Sequence, residues 1–309
     1  MSEADEPFRR VWYDVPGGRM AGIAFGAQTP NPDIVFLHAT GFNARTYRAL
    51  LQPLSEKFHV LALDLRGHGR TELPARLFGY ASWRPHRDDV IALIERHFSA
   101  PVTLAGHSMG ATVSLLIAGR RNDLVSGLAL VDPVILPAAG YAMAQAPLGP
   151  LLQRHTLPIA RAARKRRSRF PDRAAALEAY RGRGVFKSFS DDVLVDYLAD
   201  GLIDDPAGGV KLSCTPIYEA ATFAAHRHDP WTALRRVTDP LVLLRAERHS
   251  TISVASMHRL CAIKPDARAA TVEGAGHMLP MERPDRVRAA IESAALLARA
   301  GRKYNHGLD

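Results

Sequence analysis

Residues 102–119 read VTLAGHSMGATVSLLIAG, and no other stretch constrains the fold as much. An apolar run of strand character, 102–107, gives way within a few residues to a helical pattern over 111–120. Between them Gly106-His107-Ser108-Met109-Gly110 matches G-x-S-x-G. The glycines admit a turn too sharp for side chains at those positions. Such a turn lifts the Ser108 hydroxyl above a sheet on a strained backbone. It also aims the Met109 N–H at a developing oxyanion, near the positive end of the following helix. As a bare pattern the motif is weak; set between strand and helix it is strong.

The rest of the chain supplies that setting. Runs rich in Val, Ile and Leu at 34–38, 60–64, 102–107, 127–132, 240–245 and 269–274 read as strands. They are continuous rather than alternating, as in a parallel sheet covered on both faces. The spacing predicts helices over 45–56, 86–98, 109–121, 254–264 and 284–300. VWYDV and MAGIAF predict an antiparallel pair turned at Pro16-Gly17-Gly18. This order implies a doubly wound, mostly parallel α/β sheet. Over 133–230 the rhythm fails. No buried strand is apparent, and an Ala- and Arg-rich helical pattern is punctuated by Pro137, Pro147, Pro150, Pro158, Pro171 and Pro206. That is too long for a loop. It reads as a helical cap (133–230) inserted in a core made of 1–132 and 231–309. Such a cap sits over the carboxyl ends of the strands, where these sheets bind ligands.

Composition closes off other classes. The 309 residues, 47% apolar and 23% charged, suit a globular protein that needs no staples. Cys214 and Cys261 lie far apart without ligand spacing, so neither a disulfide framework nor a zinc site is expected. Two buried thiols in a reducing compartment fit better. MSEADEPFRR lacks a basic-then-apolar leader, no apolar run reaches membrane-spanning length, and cytoplasm is the expected location. The formal charge is +9, and RAARKRRSR (161–169) carries much of the excess; it reads as a solvated helix face. No groove-reading or stacking motif accompanies it, which argues against nucleic acid. No phosphate loop, metal-ligand cluster or dinucleotide fingerprint occurs, so no cofactor and no metal are expected. No pattern specifies an oligomeric state.

A serine hydroxyl is a poor nucleophile at neutral pH and needs a base. Among 13 histidines, His277 stands in GAGHMLPMERPDRV (274–287), a Gly-rich loop between the last strand and the last helix. That is the sheet edge that carries Ser108, and the order nucleophile-then-histidine fits. A second oxyanion donor is expected from the turn HATGF (38–42), where Ala39 and Gly41 let the backbone approach a substrate. The Thr40 N–H is the candidate, and its hydroxyl a candidate to assist.

With HATGF, DLRGHG (64–69), GHSMG, LVDP (130–133) and GAGHMLPMERPDRV in this order, the chain resembles the α/β-hydrolase superfamily, in particular serine esterases with a helical cap. The resemblance covers 10–132 and 231–301. It implies Ser108 as nucleophile, His277 as general base and then acid, and the N–H groups of Thr40 and Met109 as oxyanion hole. DLRGHG reads as a structural turn braced by Arg66. Relatives often carry His-Gly where this chain has His38-Ala39. In this superfamily the acid most often follows the strand that is 240–245 here, in a Gly-Glu-x-Asp pattern. Ala246-Glu247-Arg248-His249 has histidine where that aspartate belongs. Other members take the acid from the end of the preceding strand, where this chain has Asp132. An aspartate ending an apolar strand is costly unless hydrogen-bonded, and a histidine partner would satisfy it. Asp132 is the expected acid and Glu247 the alternative, the latter otherwise an ion-pair partner of Arg245 or Arg248.

The expected function is cleavage of a carboxylic ester of a small molecule through an acyl-enzyme. The same residues would serve a lactonase, thioesterase, C–C bond hydrolase or acyltransferase. The rival from another class is a non-enzymic ligand receptor. Serine at the turn argues against a dehalogenase or epoxide hydrolase. Tyr141, Met143, Tyr180, Phe186, Phe189, Tyr197, Tyr218, Phe223 and Trp231 are candidates for pocket lining or for cap core. Arg181 and Arg183 are expected at the surface rather than against an acidic substrate.

Overall fold

In the computed structural model, which describes residues 6–146 and 149–305, the apolar runs join into one eight-stranded sheet. Residues 1–5, Pro147, Leu148 and residues 306–309 lie outside the described residues. In chain order come β1 (Arg9–Val15), β2 (Gly18–Phe25), β3 (Ile34–Leu37), β4 (Val60–Leu63), β5 (Val102–His107) and β6 (Val125–Val131). Three short strands come next, β7 (Arg169–Phe170), β8 (Leu202–Asp204) and β9 (Val210–Leu212), and then β10 (Leu241–Ala246) and β11 (Arg268–Val272). The large sheet has the order β1-β2-β4-β3-β5-β6-β10-β11. β2 pairs antiparallel with both β1 and β4; the other neighbours are parallel.

The central strands β3, β4, β5 and β6 are buried on both faces, which is why they read as continuous apolar runs, whereas the edge strands β1 and β11 are partly exposed. Val35 and Leu37 enter one core, closed by helix Met109–Arg120. Ile34 and Phe36 enter the other, closed by helix Pro284–Asn305. The register brings the strand ends together. Leu37 faces Gly106, His107 faces Val131, and Val131 faces Leu244. The turns at the carboxyl ends of β3, β5, β6 and β10 therefore emerge at one edge. The connection order reverses between β3 and β5, which opens the crevice used for ligands in such sheets.

After β6 the chain leaves the large sheet for a mostly helical segment before helix Pro230–Arg236 leads into β10. The helices of this segment are Ala138–Ala144, Gly149–Thr156, Pro158–Arg164, Arg173–Tyr180, Asp191–Gly201 and Pro216–Phe223. Pro158 and Pro216 open their helices, where a missing N–H costs nothing. The sequence pattern predicts no strand here, yet β7, β9 and β8 form a small antiparallel sheet. Runs of two and three residues leave no periodicity to read. Helix Pro230–Arg236 packs on Met109–Arg120, so the chain has rejoined the large sheet by then.

Two aspartates one turn apart fasten the helical segment. Asp200 accepts from Arg10 and Arg70 at 2.6 and 2.7 Å, and Asp196 from Arg48 and Arg45 at 2.7 and 3.2 Å. Both carboxylates are buried. A further tie is Trp83, whose indole N–H donates to Thr222 O at 2.9 Å while its ring stacks on His228. Among the described residues no helix is long and apolar enough to cross a membrane, and Cys214 and Cys261 are both free thiols.

Candidate active site

Ser108 links β5 to helix Met109–Arg120 with φ 55° and ψ −116°, a conformation non-glycine residues rarely take. Close approach of backbone explains the flanking glycines. A Cβ on Gly110 would stand 2.0 Å from Leu37 O, and one on Gly106 2.5 Å from the Gly110 carbonyl carbon. Ser108 N–H donates to Val131 O at 2.9 Å, which ties the turn to the end of β6.

The next residue of the chain after β6 is Asp132, fully buried and itself at φ 42°. His277 lies between them, with Nε2 3.1 Å from Ser108 Oγ and Nδ1 2.6 Å from Asp132 Oδ2. An ionised carboxylate only accepts, so Nδ1 carries the hydrogen and the bare Nε2 accepts from the Ser108 hydroxyl. Burial alone would raise the Asp132 carboxyl. Bonds from His277, from the Ser250 hydroxyl at 2.5 Å and from Ala246 N–H at 2.8 Å outweigh it and hold the group below the usual carboxylate range. Thr251 N–H adds a further bond at 3.2 Å. The loop after β10 thus supplies donors.

Glu247 is exposed and turned elsewhere: its Oε2 accepts Gly274 N–H at 2.8 Å. The ion pair with Arg245 or Arg248 expected for it is not formed. Arg245 donates to Ile252 O and Arg248 to Gly274 O. Glu247 therefore braces the loop that carries His277 without touching its ring.

In the turn after β3 the amides can be accounted for one at a time. Ala39 N–H donates to Tyr47 Oη at 3.2 Å, Gly41 N–H to His68 Nε2 at 3.0 Å, and Phe42 N–H to Ala39 O at 3.1 Å. Among the described residues Thr40 N–H and Met109 N–H have no such acceptor. The Thr40 hydroxyl points at the Met109 sulfur, 3.3 Å away. DLRGHG serves this turn. His68 takes the Gly41 N–H, Asp64 takes Ala44 N–H at 2.8 Å, and Arg66 forks onto Asp89 at 2.9 and 2.6 Å.

Ser108, Thr40 and His277 open into a cavity of about 470 Å³, walled mainly by apolar side chains from the segment between β6 and β10. Of the aromatics singled out in the sequence, Tyr180, Phe186 and Phe223 line it. Tyr141, Tyr197, Tyr218 and Trp231 are buried in packing, Phe189 stacks on Phe42, and Met143 is exposed. Arg183 lines the cavity from an exposed position, whereas Arg181 pairs with Asp191.

The basic run departs from its reading as a solvated face at one residue. Arg161, Arg164, Lys165, Arg167 and Arg169 are exposed, but Arg166 turns into the cavity wall. It donates to both oxygens of buried Glu219 at 3.2 Å, to Tyr180 Oη at 3.1 Å and to Tyr197 Oη. The run continues past the end of helix Pro158–Arg164, so helical periodicity cannot tell which way residue 166 faces. Glu219, Tyr47 and His107 also escape sequence reasoning. Only His107 carries a signal, as the middle residue of Gly-x-Ser. Among the described residues no group of three His, Cys, Asp or Glu is arranged to hold a metal ion.

Residues 34–290 match the family described as the alpha/beta hydrolase family. The chain is 26% identical to 2-(acetamidomethylene)succinate hydrolase of Mesorhizobium japonicum, over 82% of this chain and 84% of that one. The crystal structure of E-2-(acetamidomethylene)succinate hydrolase superposes with a TM-score of 0.75 at 25% identity, covering 93% of this chain and 98% of the other. A shorter match, 32% identical over 100 residues, is to pimeloyl-[acyl-carrier protein] methyl ester esterase of Chromobacterium violaceum; it covers 32% of this chain and 36% of that one.

Proposed function

Because the chain belongs to the alpha/beta hydrolase family, we propose that it is a serine hydrolase that cleaves a carboxylic ester of a small molecule, in the cytoplasm and without a cofactor. Ser108 is the nucleophile, His277 the base and then the acid, Asp132 the orienting carboxylate, and the Thr40 and Met109 N–H groups the oxyanion hole. Residues 133–230 act as a cap that closes the cavity over them. The observation that carries this reading is the line Ser108–His277–Asp132, at 3.1 and 2.6 Å, opening on an apolar cavity.

His277 Nε2 takes the Ser108 proton as Oγ attacks the ester carbonyl. The negative charge that forms on oxygen meets Thr40 and Met109 N–H, with the positive helix end behind them. Collapse breaks the bond to the alkoxy oxygen, and the alcohol leaves with the proton from His277. Water then gives a proton to His277 and adds to the acyl carbon. The second collapse returns a proton to Ser108 and releases the acid. Asp132 keeps Nδ1–H turned toward itself and stabilises the imidazolium without taking its proton.

The likeness to 2-(acetamidomethylene)succinate hydrolase, together with exposed Arg183 at the cavity, favours a second reading in which the substrate itself carries a carboxylate. Two measurements test the pair. A fluorophosphonate probe is expected to label Ser108 and to fail on Ser108→Ala; an unlabelled but folded wild type would point to the receptor instead. A panel of neutral chromogenic esters against half-esters of succinate then separates the substrates. Faster turnover of the half-esters, lost in Arg183→Ala, supports the second reading.

A further inference from the structure

We propose that Tyr47 and His107 form a positioning relay that locks the turn 38–42 and the His277 loop into one mutual geometry. The proposal rests on the reading of Thr40 and His277 given above. Each bond in the relay has a fixed sense. A carbonyl only accepts, so His107 Nε2, 2.8 Å from His277 O, carries a hydrogen. Burial drives the His107 imidazole down to about 3, so the ring is neutral and its Nδ1 is bare. Tyr47 Oη lies 2.8 Å from that nitrogen and must donate to it. Burial pushes the Tyr47 phenol up, so the O–H stays on. The phenol oxygen then accepts Ala39 N–H at 3.2 Å. Hydrogen bonds therefore run from Ala39 through Tyr47 and His107 to the His277 backbone without a break in direction.

Both rings are fully buried, and neither lines the cavity. An apolar pair would fill the same space without the cost of burying polar atoms. What the polar pair adds is the connection. His107 precedes Ser108 in the chain, bonds the backbone of His277, and reaches through Tyr47 to the residue before Thr40. The nucleophile, the base and the candidate oxyanion donor thus share one rigid reference. Catalytic groups need to be held within roughly 0.5 Å, and that is the tolerance such a relay can set.

Tyr47→Phe and His107→Leu break the relay. His107→Gln keeps an amide N–H for His277 O and an amide oxygen for Tyr47. The assay is p-nitrophenyl butyrate hydrolysis, with competent sites counted by fluorophosphonate titration. In the two breaking variants kcat per competent site is expected to fall roughly 10- to 100-fold while KM stays within about threefold. His107→Gln is expected to recover most of the loss. A Tyr47→Phe kcat per site within about twofold of wild type overturns the relay. Backbone hydrogen exchange gives a readout that does not depend on turnover. Either breaking variant is expected to speed exchange over 38–42 and 275–279 together, and a change confined to the mutated segment overturns the proposal. If wild type leaves Ser108 unlabelled, the hydrolase reading fails, and the exchange experiment alone decides the relay.

Discussion

A carboxylate helps an imidazole only while it stays ionised, and at Asp132 four donors meet that condition. Three of them, Ala246 N–H, the Ser250 hydroxyl and Thr251 N–H, come from the end of β10 and the loop after it. Asp132→Asn would turn an amide N–H toward Nδ1 and favour the wrong tautomer. Turnover of the preferred ester is expected to fall by about 10³–10⁴. Glu247→Gln keeps an oxygen for Gly274 N–H and is expected to cost less than about tenfold. Steady-state kinetics on both variants checks the ranking, and a reversal sinks the assignment. Asp132 is legible in the sequence because a charge ending an apolar strand needs a partner. Its donors are not, since a serine and a threonine in a turn carry no mark of what they point at.

Elements are legible where they are long and periodic. The strand runs, helices 84–97, 109–120, 254–263 and 284–305, and the sharp turn at Ser108 all leave such patterns. Short pieces do not: β7 is two residues long, and the orientation of Arg166 depends on a break just past a helix end. The glycine that lets helix and strand touch gives a direct test at this scale. Gly110→Ala forces a Cβ to 2.0 Å from Leu37 O. It is expected to destabilise by about 3 kcal/mol or more, read as a lower thermal midpoint. Gly301→Ala, also helical but with nothing within 4 Å of its Cβ, is expected to stabilise by roughly 0.5–1 kcal/mol. Equal effects of the two would refute the close-approach argument.

Over the whole molecule the buried histidines dominate the response to acid. Burial drives His38, His68 and His107 down to about 3 and His226 to about 4, and lowers His86 and His228 as well. All six lie below the ordinary 6.5, so the unfolded chain takes up protons that the folded one refuses. Their stabilisation is complete above about pH 6.5 and is lost as pH falls below it. Buried carboxyls oppose the trend. Burial raises Asp64, Asp239, Asp89 and Asp196, Asp239 to about 6, so the folded state gains protons there first. Between pH 6.5 and 5 the histidines outnumber them, and the denaturant midpoint is expected to drop over that interval. A flat or rising midpoint would contradict the burial of these rings. None of this is visible in a count of histidines, because burial and not number sets the response.

The tie between Trp83 and Thr222 has an optical consequence. The chain has three tryptophans, and Trp12 is already half in water while Trp83 and Trp231 are buried. Trp83 is held by the Thr222 carbonyl and stacked on His228, so its emission registers whether that helix is seated. Lifting helix Pro216–Phe223 would wet the Trp83 indole and shift its fluorescence to the red; Trp231, whose indole N–H donates to Leu136 O at 3.0 Å, is a second buried emitter, and Trp83→Phe separates the two contributions. Trp83 is therefore an unlabelled indicator of whether helix Pro216–Phe223 stays packed against it.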